Sequence, residues 1–288
     1  SKPESFSLYV SIPFCPSRCS YCSFVSHSVD KAGRLIDEYV ELLCREIEET
    51  GKIAKAEKLK LETVYIGGGT PVAISAEQIS KIMDSVKKHF DLSGILEYTV
   101  EAGRPDAIDK AKLEAIKNGG ATRISVNPQT MNDAVLKEIG RNHTAEQFFE
   151  AYDLAKTAGI NHINVDLIAG LPDESAESFI SAANKIVALR PEAITVHTFS
   201  VKRSSEYGLG DLYSRESIDA ALSVDGAYAL ITDAGYIPYY MYRQKNTVGN
   251  FENVGFALPG YEGLYNIYMM EEVHSIFAAG AGAVTKLV

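Results

Sequence analysis

The sequence predicts an α/β fold in which six successive β-α units build a parallel sheet with helices on its outside. Three observations predict it. Short β-branched or aromatic runs alternate with longer amphipathic stretches. Unusual polar residues recur at the ends of the predicted strands. Three of the four cysteines fall within eight residues, directly after the first predicted strand. An open doubly wound sheet and a barrel, full or partial, both fit this pattern.

The first strand is "SLYVSIPF" (7–14), followed by a helix over roughly 29–52 whose apolar stripe is Leu35, Tyr39, Leu42, Leu43 and Ile47. "ETVYIGG" (62–68) is the second strand, and the helix after it starts from Ser75, an N-cap three residues before Gln78. "ILEYTVEAG" (95–103) is the third, with a helix near 106–118 that stops at Gly119-Gly120. "TRISVNP" (122–128) precedes helical segments that run to about 158 and end at Gly159. "HINVDLIAG" (162–170) leads into a helix near 174–189, and "AITVHTFS" (193–200) into one near 216–234. Beyond Gly235 the alternation breaks. "YIPYYMYRQ" (236–244) reads as a strand, then a Gly/Asn-rich stretch leads to the short runs "LYNIYMM" and "HSIFAAG". Residues 1–235 are therefore expected to form the core, and 236–288 an extension packed on it. The chain begins at Ser1 without Met and stops in an apolar, Gly-rich run, so it is expected to be part of a longer protein.

Composition narrows the function classes. Of the 288 residues, 46% are hydrophobic, enough for a large core. A net charge of −10 with no Lys/Arg run argues against nucleic acid as a partner. No apolar stretch is long enough to span a bilayer, and no signal peptide opens the chain. Four cysteines, three of them clustered, argue against a disulfide framework and for a reducing, cytoplasmic setting.

In parallel α/β folds the site lies at the carboxyl ends of the strands. The cysteine loop follows strand one, and Gly67-Gly68-Gly69-Thr70-Pro71 follows strand two. Glu101 ends strand three, Asn127 ends strand four with Gln129 just beyond, Asp166 lies in strand five and His197 in strand six. All fall on one rim. Alternation puts Asn164 with Asp166 opposite Ile163, Val165 and Leu167, and Ser125 with Asn127 opposite Ile124 and Val126. The apolar face should meet the helices and the polar face should line a cavity. Taken singly, a strand Asp, a Gly-rich turn or a core His each has a plain structural reading. Their joint placement does not.

Cys15, Cys19 and Cys22 admit three readings. Zinc would need a fourth ligand, His27 or Cys44. An iron–sulfur cluster would keep one iron without protein sulfur. Three buried thiols by chance is the third reading. Cys44 sits in the apolar helix "EYVELLCREI", where a core role suits it best.

The pattern Cys15-Pro-Ser-Arg-Cys19-Ser-Tyr-Cys22 after the first strand resembles the signature of the radical S-adenosylmethionine enzymes, and "GGGTP" resembles that family's second motif. The resemblance implies a partial (β/α)6 barrel. It also implies a [4Fe–4S] cluster on Cys15, Cys19 and Cys22, with S-adenosylmethionine chelating the fourth iron through its amino and carboxylate groups. "LYVSIPFCPSRCSYCSF", "YIGGGTP", "EAGRPD", "RISVNPQTM", "IGRNHT" and "VDLIAGLP" are similar, in order and spacing, to the oxygen-independent coproporphyrinogen III oxidase branch, over nearly the whole chain. By this resemblance Tyr9, Gly68, Gly69, Thr70, Glu101, Gln129, Arg141 and Asp166 contact S-adenosylmethionine, with Tyr9 and Glu101 nearest the chemistry and Tyr21 beside the adenine. Arg141 suits the carboxylate, and Gln129 and Asp166 suit ribose hydroxyls. Two positions depart from the true oxidases: Phe24 replaces a cysteine and Ser11 replaces a histidine. Phe24 is similar to the pattern of the oxidase-like relatives, and "YRQKN" makes the coproporphyrinogen dehydrogenase branch among them the best match. These relatives include haem chaperones, a coproporphyrinogen dehydrogenase branch, and methyltransferases that use a second S-adenosylmethionine.

The resemblance implies oxidative decarboxylation of coproporphyrinogen III, with an electron donor of the flavodoxin or ferredoxin kind. A tetrapyrrole carrying propionates needs local cations in so acidic a chain. Lys202 and Arg203 beyond strand six, and Arg243 and Lys245 in "PYYMYRQKN", supply them. Arg203 and Arg243 are the expected anchors, and Tyr240 and Tyr242 the aromatic cover.

Overall fold

A computed structural model describes residues 4–22, 27–200, 215–245 and 247–288, with backbone alone for 215–218. Strands β1 (Ser5–Ile12), β2 (Lys60–Gly68), β3 (Glu97–Val100), β4 (Arg123–Ser125), β5 (Ile163–Ala169) and β6 (Ala193–Thr198) lie side by side in chain order, all parallel. Helices α1 (Ile36–Ala56), α2 (Ala76–His89), α3 (Lys110–Asn118), α4 (Asp133–Glu138), α5 (Ala145–Thr157), α6 (Ala176–Leu189) and α7 (Arg215–Asp233) follow them. This is the partial (β/α)6 arrangement. Among the described residues no helix is long and apolar enough to cross a membrane.

The helix starts follow their caps. Gln78 N–H donates to Ser75 Oγ at 3.2 Å, and Ser75 N–H donates to Gln78 Oε1 at 2.9 Å, so the expected capping box is present. Thr144 and Gln147 repeat the device at α5. The first helix differs from its sequence reading. A short helix (Val29–Ala32) and a 3-10 turn (Gly33–Leu35) precede α1, and this turn rotates the phase. The buried stripe is Ile36, Val40, Leu43, Ile47, Gly51 and Ala54, while Leu35 and Leu42 are exposed. The small residues Gly51 and Ala54 carry the contact where no large apolar residue signals it.

The strands alternate as the sequence predicts. Ile163, Val165 and Leu167 are fully buried in the core, with Ile124, Val126, Ile194 and Val196. The opposite face carries Ser125, Asn127, Asn164, Asp166 and Thr195, which line a central cavity.

Residues after 235 extend both edges of this sheet. β8 (Asn253–Ala257) pairs antiparallel with β6, and β7 (Ile237–Tyr242) pairs antiparallel with β8. β9 (Ser275–Ala279) pairs parallel with β1, with Phe6 opposite Ser275 and Val10 opposite Ala279, giving the order β9-β1-β2-β3-β4-β5-β6-β8-β7. The run "LYNIYMM" is helical, α8 (Leu264–Met270). It crosses the amino ends of the strands. Glu97, the first residue of β3, accepts from the N–H groups of Leu264 (2.7 Å) and Tyr265 (3.3 Å). Arg123, the first residue of β4, donates to the Tyr261 carbonyl and the Tyr239 hydroxyl, and lies 4.0 Å from Glu97. Both side chains are almost fully buried, so this pair ties the floor of the cavity to the sheet.

Candidate active site

The cavity measures ≈ 600 Å³ and runs from the carboxyl ends of the parallel strands down to Glu97 and Arg123 at their amino ends. Cys15, Cys19 and Cys22 lie on its wall, as do Tyr9, Tyr21, Gly68 and Gly69. So do Glu101, Gln129, Arg141, Asp166 and His197, and on the β7 side Tyr240 and Tyr242. The fold thus brings together most residues that the sequence singled out.

The loop after β1 is held against its neighbours by backbone. Gly69 N–H donates to the Ile12 carbonyl and Thr70 N–H to the Phe14 carbonyl, both at 2.8 Å. Ser20 N–H donates to the Ile139 carbonyl at the end of α4. Glycine is required here. A Cβ on Gly69 would stand 2.4 Å from the Phe14 oxygen, and Gly68 has φ +109°.

Arg141 is buried, and its Nη1 donates to the carbonyls of Gly103 (2.9 Å) and Asn127 (3.2 Å). Nη2 donates to the Tyr21 hydroxyl at 3.2 Å. Its Nε has no partner among the described residues, nor has Gln129 Oε1. Gln129 holds a left-handed backbone, φ +69°, clamped by bridging to β5: its N–H donates to the Asp166 carbonyl, and Ile168 N–H donates to its own.

Two carboxylates share the cavity with opposite electrostatics. Burial, reinforced by Asp166, pushes Glu101 up to about 8, against a hydrogen bond from Tyr65 and the charge of Arg141. Burial also opposes the charge of Asp166, but His197, Asn164 and Thr195 hold it below the usual carboxylate range. Asn164 Nδ2 lies 2.7 Å from Asp166, and His197 Nε2 lies 3.6 Å from its other oxygen. Tyr242 OH stands 3.2 Å from His197 Nδ1.

Two predicted positions fall elsewhere. The Thr70 hydroxyl donates to the Glu101 carbonyl at 3.2 Å and does not line the cavity. Arg243 forms an exposed ion pair with Glu252, so its charge is spent on the surface rather than in the cavity. Arg203, with Lys202 and Phe24, lies outside the described residues. Cys44 packs between α1 and α2, with Ser85 Oγ donating to its carbonyl. His27 is exposed. Among the described residues no three His, Cys, Asp or Glu side chains converge on one point as a single-ion site requires.

Among the lining residues that escaped the sequence reading, four stand out for what they touch. Arg104 reaches the cysteine loop from after β3. Tyr65 stacks on Tyr265 at 4.6 Å, and both stack near Tyr9 at 6.1 and 6.3 Å. Glu97 sits on the floor. Alternation with Gly67 along β2 could have found Tyr65, and Arg104 stands inside "EAGRPD"; the other two depend on contacts across more than 160 residues.

A model of the radical SAM superfamily matches residues 9–186. The chain belongs to this superfamily. It is 41% identical to the oxygen-independent coproporphyrinogen-III oxidase-like protein HemZ of Bacillus subtilis, over 99% of this chain and 58% of that protein. It is 33% identical to the heme chaperone HemW of Lactococcus lactis, over 98% of this chain and 69% of that one. The structure of coproporphyrinogen III oxidase HemN from Escherichia coli superposes with a TM-score of 0.77 at 22% identity, over 99% of this chain and 65% of that one, which shows the shared fold. The chain thus lies in the branch that holds these three proteins and spans 58% of the first relative's length.

Radical SAM membership implies a [4Fe–4S] cluster and S-adenosylmethionine, and the residues present fit both. Three thiols share one wall of the cavity. A glycine cradle too tight for any Cβ lies beside them. Buried Arg141 Nε and Gln129 Oε1 await an acceptor and a donor.

Proposed function

We propose that this radical SAM protein cleaves S-adenosylmethionine reductively at a [4Fe–4S] cluster held by Cys15, Cys19 and Cys22, and that its substrate is a tetrapyrrole, coproporphyrinogen III, decarboxylated oxidatively at its propionates to protoporphyrinogen IX. The observation that carries this reading is the shared cavity: the three thiols face the same ≈ 600 Å³ space as Glu101, Arg141 and Asp166. Bound there, the cluster would supply one electron and S-adenosylmethionine the carbon-centred radical that takes a hydrogen atom from the propionate side chain, and the electron left when carbon dioxide departs would pass to an external one-electron acceptor or back to the cluster.

The chain's own groups bind and orient. Arg141, on the cavity wall and already held by two backbone carbonyls, supplies the positive charge for the cofactor carboxylate. Backbone at Gly68 and Gly69 admits the methionine amino group, and Glu101, neutral while the cavity is empty, ionises beside that cation to balance its charge. Asp166, kept ionised by His197, accepts from ribose hydroxyls, and Gln129 joins it across the β4–β5 bridge. Tyr21, bonded to Arg141, flanks the adenine. Tyr240 and Tyr242 stack at 6.3 Å with planes 4° apart, a flat aromatic wall suited to covering a macrocycle.

A second reading is favoured by the HemW relative, whose name is that of a heme chaperone. In it the same cavity holds and passes on haem. Anaerobic incubation with S-adenosylmethionine, a low-potential reductant and candidate porphyrinogens, with products identified by mass spectrometry, separates the two. Loss of carbon dioxide from coproporphyrinogen supports the enzyme. Tight haem binding with no turnover of any porphyrinogen contradicts it.

A further inference from the structure

Arg104 is 3% exposed, and its five N–H groups all have acceptors. Nε and Nη2 form a two-pronged pair with Asp106, both at 3.0 Å. Nη2 also donates to Ser17 Oγ at 2.9 Å, and Nη1 donates to the Ser17 carbonyl at 3.1 Å. The fifth N–H, on Nη1, points to Cys19 Sγ at 3.8 Å. Ser17 Oγ in turn donates to the Gly140 carbonyl, next to Arg141. The guanidinium therefore does two things at once. It staples the cysteine loop to the segment after β3, and it sets a fixed positive charge and a hydrogen-bond donor against one thiol sulfur.

Hydrogen bonds to ligand sulfurs, and charge in a low-dielectric surround, tune iron–sulfur potentials. Adding an electron to a cluster makes it more negative. A buried cation within 4 Å of a ligand sulfur favours that reduced form. Asp106 partly offsets this charge, being held on the far prongs of the same guanidinium.

We propose that Arg104 is a positioning residue that raises the reduction potential of the cluster through Cys19, with Asp106 setting how much of its charge reaches the sulfur. This rests on the reading that Cys19 ligates a cluster. The role gives a reason for an almost fully buried arginine, costly to desolvate, to stand beside the cysteine loop.

The test is a redox titration of the anaerobically reconstituted chain with titanium(III) citrate, following the electron paramagnetic resonance signal of the reduced cluster. Arg104→Met should shift the midpoint to more negative potential, and Arg104→Lys should lie between it and the unaltered chain. Asp106→Asn should shift it the other way. If Arg104→Met takes up no cluster, the opposite shift in Asp106→Asn carries the proposal, and an unchanged midpoint there overturns it. A purely structural staple lowers cluster content in Arg104→Met while leaving the midpoint where it was, which also overturns it. Failure of the unaltered chain to take up any cluster overturns the proposed function itself, and this inference with it.

Discussion

Arg141 and Tyr21 form a buried hydrogen bond of 3.2 Å on the cavity wall, and the arginine's buried Nε has no partner among the described residues. The guanidinium is already fixed by two backbone carbonyls, so it meets an anionic ligand with little reorganisation. Arg141→Ala should weaken S-adenosylmethionine binding by about 1.5–3 kcal/mol, roughly ten- to a hundredfold in Kd, while cluster content stays near normal. Equilibrium dialysis of the reconstituted variant reads this directly. An unchanged Kd removes Arg141 from the cofactor site.

Glu101 predicts a pH dependence. Its carboxyl is pushed up to about 8 in the folded chain, against an ordinary value of 4.5. Between those values the folded state keeps a proton that the unfolded state has lost. Stability of the cofactor-free chain should therefore be highest below pH 4.5 as far as this group is concerned, and fall as pH rises through 8. Glu101→Gln should flatten that fall, gaining on the order of a few kcal/mol over the unaltered chain at pH 9 and little at pH 4. Urea unfolding at several pH values measures it. Parallel stability curves for the two chains contradict the burial of Glu101.

Two glycines should respond oppositely to one added methyl. At Gly69 a Cβ would strike the Phe14 backbone, so Gly69→Ala must displace the start of the cysteine loop. We expect a loss of about 1–3 kcal/mol in stability, together with reduced cluster uptake. At Gly94 a Cβ meets nothing within 4 Å, so Gly94→Ala should leave both unchanged. Iron content and thermal unfolding of the pair check this.

The ladder of strands was legible because the sheet is buried on its helix side and polar on its cavity side, so residues such as Asn164 and Asp166 announce their face by alternation. The cysteine loop was legible because its spacing is local. What escaped is non-local or small. β9 joins β1 through backbone pairing that leaves no mark on either sequence. Gly51 and Ala54 carry a helix contact without large apolar side chains. Arg243 looked like an anchor because charge alone is visible in sequence; that Glu252 takes it is a matter of the β7–β8 turn.

That last point makes a prediction about the substrate wall. Exposed pairs such as Arg243–Glu252 contribute little, so Arg243→Ala should change porphyrin or haem affinity by less than about 1 kcal/mol. Tyr240→Ala removes one ring of the stacked wall and should weaken it by more than that, since aromatic contact adds about 0.5–1.5 kcal/mol beyond area burial. Absorbance titrations of both variants compare them. A larger loss from Arg243→Ala than from Tyr240→Ala would place the tetrapyrrole away from this wall.

The floor offers a stability test. Glu97 and Arg123 are buried together at 4.0 Å, and Glu97 also accepts from two N–H groups of α8. Glu97→Leu leaves a buried guanidinium without its counter-charge and α8 without its acceptor, with an expected cost of about 3–5 kcal/mol. Chemical denaturation of the cluster-free chain reads the loss.

The central claim is that Cys15, Cys19 and Cys22 hold one [4Fe–4S] cluster and leave its fourth iron open. The most direct measurement is iron and acid-labile sulfide content, with the electron paramagnetic resonance spectrum of the reduced chain before and after S-adenosylmethionine, in Cys19→Ala and Cys44→Ala prepared anaerobically. The account predicts four irons and four sulfides per chain in Cys44→Ala, as about the full complement of one such cluster, with a spectrum that changes when S-adenosylmethionine is added, and a near-empty Cys19→Ala. A cluster that survives in Cys19→Ala and is lost in Cys44→Ala would contradict it.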